Sequence, residues 1–282
     1  MKYFSIKFIF SLIIAFTLNN IILAQTSSTK NDNTEITAET NQYLKRVNLD
    51  NGNILNKPYM NSFIKMAVED KWISNIKFWT SSQWGIKEYL GNIAKQYDLR
   101  GNDLTNTSLD RRPKKIELGN IYGVKYDGID DSFESSDFDV KHPMSLLIVF
   151  SNDELKNEVA LLDNKGSKNH LISLDKNSTG DTQLKISTAG NIYVKGIKNG
   201  LNIVFIEFNI KNSRVFVNGE LAFSGIIGIG ELNGLVIGRG KINSNTSNFN
   251  GTMFETGIID TIISDDARTN LLNLMDGIYS VK

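Results

Sequence analysis

Three carboxylates fall within five positions of this chain, Asp127, Asp130 and Asp131, in the stretch GVKYDGIDDSF from 123 to 133. Closely spaced hard oxygen donors are what a calcium ion takes, and the loops at 163–166 (DNKG) and 243–250 could add further oxygens. No twelve-residue EF-hand loop accompanies them. The same residues suit a plainer task, because an Asp side chain accepts hydrogen bonds from nearby turn amides and Asp-Gly tolerates positive φ. Asp-Gly turns outnumber ion sites, so turn capping is the preferred reading and calcium the alternative.

Sugar recognition needs a flat apolar face and amide or hydroxyl partners. Trp79, Trp84 and Tyr122 could form an aromatic platform, and Asn243, Asn245, Asn248 and Asn250 could supply amides from one loop. Both features also have ordinary explanations. A cluster of Trp72, Trp79 and Trp84 commonly makes the seam between helices and a sheet, since Trp is highly buried on average.

Catalytic patterns are weaker. Glycosidases of the usual kind need two carboxylates about 5 to 9 Å apart, and a Glu-x-Asp-x-x-Glu strand of the glucanase type does not occur. Asp153-Glu154 with Glu158 reads as a surface turn, and the odd spacing of Glu255 and Asp260 puts them on opposite faces of a regular strand. His142 and His170 have no acid or nucleophile at triad spacing. Cysteine is absent, which excludes disulfides, thiolate metal sites and a Cys nucleophile. The sequence is therefore expected not to encode an enzyme.

The elements that must hold these residues are mostly strands. Residues 145–150 (SLLIVF) form a continuous apolar run suited to a central strand. Residues 203–210 alternate, with Val204, Ile206, Phe208 and Ile210 on one face. RVFV, Asn218-Gly219 and ELAF make a hairpin with the dipeptide that favours a type I′ turn. Further strands at 235–238 and 252–263, spaced about ten residues apart, argue for an all-β sandwich.

Helical spacing appears at the two ends. Tyr43, Leu44 and Val47 precede a turn cluster at 50–53, and after Pro58 the residues Met60, Phe63, Ile64, Ala67 and Val68 share a core-facing stripe. Ser264 can cap a last helix whose apolar face carries Leu271, Leu272 and Met275, with Gly277 ending it. The expected organisation is a signal peptide at 1–24, a flexible leader at 25–33, a helical preface at 34–92 and a β domain at 93–282.

Lys2 and Lys7 before an apolar run at 8–23, then Leu23-Ala24-Gln25, read as a cleavable secretory signal. The mature chain would be periplasmic, surface-bound or extracellular, without a membrane span. Lys and Arg total 31 against 31 acids, so losing the two signal lysines leaves it about two charges negative. That balance gives no sign of a nucleic-acid partner.

Several landmarks occur in an order that resembles the bacterial or phage laminin-G-like, concanavalin A-like jelly roll. They are Tyr97-Asp98-Leu99-Arg100-Gly101-Asn102-Asp103 with Arg112-Pro113, then Tyr126-Asp127-Gly128-Ile129-Asp130-Asp131, Val217-Asn218-Gly219, Ile237-Gly238-Arg239, 250–255 (NGTMFE) and 263–268 (ISDDAR). Arg100 replaces the Ser usual in that group, and a Gly-Asn pair is missing near Asn102-Asp103. The resemblance implies two curved antiparallel sheets with a rim of loops, in a group that holds carbohydrate-binding modules, adhesion domains and more distant hydrolases and lyases. It leads to the expectation of a non-catalytic domain recognising carbohydrate or cell-surface glycan. Alternatives are a structural or adhesion subunit with a protein partner, and a glycoside hydrolase or polysaccharide lyase whose site the sequence does not reveal.

Overall fold

Alternation of apolar residues in strands with covered faces produces two large antiparallel sheets, seen in a computed structural model that describes residues 38–279 apart from 154, 156–157, 167–169, 229 and 241–246. The expected signal peptide and leader lie outside the described residues, as do Asn243 and Asn245.

One sheet runs in the order Glu220–Gly225, Ser213–Val217, Gly200–Phe208, Met144–Asn152, Asn250–Ile259, Ile121–Asp127 and Lys114–Leu118, and Ile76–Ser81 also pairs with Asn250–Ile259. The facing sheet begins with Asn53–Ile54, Gly85–Tyr89 and Asn92–Gln96, passes through Phe133–Glu134, Leu235–Ile237 and Val159–Asn164, and ends at Asn191–Val194. The fold is thus the expected β-sandwich.

Strand Met144–Asn152 explains why its sequence is apolar throughout. Leu146, Ile148 and Phe150 enter the core between the sheets, whereas Leu147 and Val149 join a second core under the helices. Strand Gly200–Phe208 divides likewise, with Val204 and Ile206 inward and Ile203 and Phe205 outward. A strand buried on both faces loses the period-two signature that a half-exposed one keeps.

Helices α1 (Ala38–Leu49), α2 (Lys57–Glu69) and α3 (Asp265–Tyr279) complete that second core. Asn56 caps α2 by accepting from the Tyr59 amide at 3.0 Å, and Pro58 occupies the first turn, where its missing N–H is harmless. Phe63 of α2 meets Trp79 and Trp84 at ring-centre distances of 4.5 and 4.9 Å, so the helical stripe packs on the sandwich.

Ser264 caps α3 through the Ala267 amide at 3.1 Å. Gly277 does not end this helix, which continues to Tyr279. The last turn is held by the buried Tyr279 side chain, whose contacts outweigh the roughly 1 kcal/mol that an interior glycine costs. The hairpin at Asn218-Gly219 has φ of 53° and 87°, as a type I′ turn requires. Ile210 instead leaves its alternating strand for a short 3-10 turn and is exposed.

Candidate functional site

The acidic turn is built by the end of strand Ile121–Asp127, whose last residue pairs with Asn250. Gly128 has φ of 76°, and a Cβ there would come within 2.8 Å of the Asn250 side chain. Oδ1 of Asp127 accepts from the amides of Ile129, Asp130 and Asp131 at 2.8, 3.3 and 3.4 Å. Oδ2 of Asp131 accepts from the Asp127 amide at 3.1 Å. These bonds are the Asx capping expected of Asp127.

Capping does not disperse the acids. One oxygen from each of Asp127, Asp130 and Asp131 lies within 4.8 Å of the others. Asp131 is buried, and desolvation, then the nearby Asp127 charge, pushes its carboxyl up to about 6. Oxygen donors at this spacing fit a calcium ion, which would relieve the mutual repulsion. Asn248 donates from Nδ2 to the Ile129 carbonyl, while the Ile129 side chain is 76% exposed.

Beside the turn lies a polar cavity of about 200 Å³, lined by Thr105, Asn106, Ser108, Arg111, Glu134 and Arg239, among others. Asn106 Nδ2 donates to the carbonyls of Arg111 and Ser132 at 3.1 and 2.8 Å, fixing the loop wall. Arg239 donates to Glu134 at 2.5 Å and to the Ser132 hydroxyl at 3.2 Å. Arg111 reaches Asp130 at 4.0 Å, linking cavity and acidic cluster. The landmarks Asp127 to Asp131, Arg112-Pro113 and Ile237-Gly238-Arg239, dispersed in sequence, therefore meet at one end of the sandwich. The sequence reading did not single out Asn106, Arg111, Glu134 or the Arg239 side chain, because polar loop residues carry no period.

The aromatic platform does not form as expected. Trp79 and Trp84 are fully buried and present no ring face to a sugar. They fill the seam between α2 and the sheet, where dense packing favours their large rings. Tyr122 is half-buried at the far end of strand Ile121–Asp127 from the acidic turn, with Lys115 Nζ 5.5 Å from its ring centre. Of the expected amide residues that are described, Asn248 and Asn250 lie beside Asp127, Asp130 and Asp131, whereas Asn243 and Asn245 lie outside the described residues.

Other carboxylates have structural partners. Asp153 pairs with Lys125 at 2.6 Å, Glu158 with Lys185 at 2.8 Å and Asp260 with Lys77 at 2.8 Å. Asp98 accepts from the amides of Trp79, Arg100 and Asn102, so the 98–103 loop ties strands together. Asn164 of the 163–166 loop accepts from the amides of Gly166 and Asn233 at 3.1 and 2.8 Å.

Glu255 is fully buried and accepts from Tyr59, Tyr279 and Trp79 Nε1 at 2.7, 2.6 and 2.9 Å. Burial pushes its carboxyl up to about 7 against the lowering effect of those bonds. This group has no exposure through which a substrate could reach it. The sequence signal for it is the one charge in the otherwise uncharged run 252–259, which must be satisfied if buried.

No protein-family profile matches the chain. No curated protein matches it in sequence. Solved structures do resemble it in shape. A Trypanosoma rangeli sialidase in complex with 2,3-difluorosialic acid, described as a covalent intermediate, aligns with a TM-score of 0.51 at 13% identity, covering 77% of this chain and 39% of that one. The same enzyme in complex with 2,3-difluoro-KDN gives 0.50 at 13% identity, over 78% and 39%. Domain 4 of an extracellular GH43 arabinanase from Geobacillus stearothermophilus, in complex with arabinotriose, gives only 0.46 at 17% identity, over 57% and 81%. At such identities the likeness is one of fold, and this chain spans about two fifths of the sialidase chains. The expectation of a non-enzyme is corrected by these neighbours, which are enzymes. Its ground was the missing glucanase strand, and paired-carboxylate chemistry has exceptions, sialidases with their Tyr nucleophile among them. The chain has a β-sandwich fold that chains of glycan-cleaving enzymes also contain.

Proposed function

We propose that this protein is an exported, carbohydrate-active β-sandwich that takes a glycan at the loop rim around Arg111, Glu134 and Arg239, with calcium held by Asp127, Asp130 and Asp131. The observation that carries this reading is the adjacency of the polar cavity to the acidic cluster. Amide, hydroxyl, guanidinium and carboxylate groups converge there, which is the mixture of donors and acceptors that vicinal sugar hydroxyls require. Exposed Ile129 adds an apolar surface beside them. The sialidase neighbours, solved with sialic acid and its analogues, lend support from the fold. Among the described residues no helix is long and apolar enough to cross a membrane.

Hydrolysis at the same rim is a second reading, favoured by the sialidase neighbours that share the fold. A glycan array, run with calcium and with chelator, tests the binding reading, and incubation of the bound glycans with protein tests for released reducing sugar. Reproducible binding to one glycan class that Arg239→Ala abolishes supports the site. A blank array with folded protein overturns it and turns attention to a protein partner.

A further inference from the structure

The two histidines of the chain, 28 residues apart in sequence, meet in space. His142 and His170 place their Nε2 atoms 3.4 Å apart, with the rings at 88°. His170 is fully buried and His142 partly so. Phe208 supports both rings, at centre distances of 5.0 and 4.7 Å. The pair precedes Met144, whereas the acidic rim lies beyond Asn152, so strand Met144–Asn152 separates the two sites by about 27 Å at 3.4 Å per residue.

Hydrogen bonding does not account for this arrangement. A nitrogen-to-nitrogen distance of 3.4 Å is longer than the usual 2.7–3.2 Å of a good N–H donor bond. His142 Nδ1 is buried with no partner, and His170 Nδ1 has none beyond its own backbone, so no other residue fixes either ring. A buried His kept for structure ordinarily uses its nitrogens. Two imidazoles on one tetrahedral ion, each at 2.0–2.1 Å, would stand about 3.3–3.4 Å apart.

The space beside the nitrogens is maintained by Gly230. A Cβ at that position would approach His170 Cδ2 to 2.6 Å, His170 Nε2 to 3.2 Å and His142 Nε2 to 3.6 Å. Gly230 is not in the left-handed region, so its backbone has no need of glycine.

We propose that His142 and His170 form a two-imidazole site for a borderline divalent transition metal such as Zn²⁺, bound through both Nε2 atoms. Imidazole selects such ions, whereas the all-oxygen rim suits calcium. His142 is only partly buried, and the coordination positions beyond the two imidazoles would fall to water or an added ligand.

The test is calorimetric titration of the untagged, chelator-treated protein with Zn²⁺, together with nitrogen NMR of the two imidazoles. One Zn²⁺ per chain is expected, with both Nε2 resonances moving on saturation. His142→Ala should weaken binding by at least the ~10–100-fold that loss of even an outer-shell partner costs. Gly230→Ala should weaken it too, and Asp131→Asn should leave it unchanged. Circular dichroism establishes that each variant is folded. Absence of binding, static Nε2 resonances, or binding that survives His142→Ala but is lost in Asp131→Asn would overturn the proposal.

Discussion

A carboxyl group in this protein behaves according to what surrounds it. Asp127 turns one oxygen to the turn amides, Asp131 is shielded and raised, and Glu255 is enclosed by three donors. Asp131→Asn removes a charged oxygen donor while keeping the shape of the turn. It should abolish the calcium dependence of glycan binding, read as loss of the difference between calcium and chelator on the array. Tyr59→Phe deletes one hydroxyl bond to Glu255 and should lower stability by roughly 1.5–3 kcal/mol, the range for bonds to charged groups, as measured by urea denaturation. An unchanged denaturation midpoint would show that the buried network relaxes without that bond.

Among the elements, α3 depends on a charged anchor as well as its apolar face. Arg268 packs 4.1 Å over the Phe216 ring and donates to Glu207 at 2.9 Å, and Arg214 donates to the same carboxylate from the sheet. Glu207 is buried, so Arg268→Ala leaves a desolvated carboxylate with one cation fewer. The expected loss is about 3 kcal/mol, the low end for breaking a buried pair because Arg214 persists. Hydrogen exchange should show the α3 amides opening first in this variant, and uniform protection would contradict the anchoring role. Both helical ends were legible locally, through Pro58 and Ser264. The stopping point of α3 was not, because Tyr279 is ordered by contacts with Phe254 and Glu255 from another element.

The whole molecule is held between opposing titrations. Glu255 has its folded value raised from 4.5 to about 7, so its contribution to stability is complete below 4.5 and lost as pH rises through 7, about 3 kcal/mol in all. Asp98, raised by burial to about 6, acts in the same direction. The histidines are lowered, so their contribution is complete above 6.5 and lost as pH falls toward 4 and then 3. Thermal melts across pH should fall away on both flanks, and Glu255→Gln should flatten the decline between pH 5 and 8. An unaltered slope in that variant would contradict the assignment. The sequence by itself determined the sandwich, since short apolar strand runs spaced about ten residues apart, the Asn218-Gly219 hairpin and the Asp127-Gly128 turn are local consequences of side-chain direction and backbone sterics. It also identified the acidic turn, whose three carboxylates are neighbours in the chain. Only the tertiary structure decided that Trp79 and Trp84 are enclosed rather than displayed, because burial depends on whether α2 covers that face. The meeting of Arg111, Glu134 and Arg239, and that of His142 with His170, were likewise settled by strand order, which brings together residues that no spacing along the chain relates.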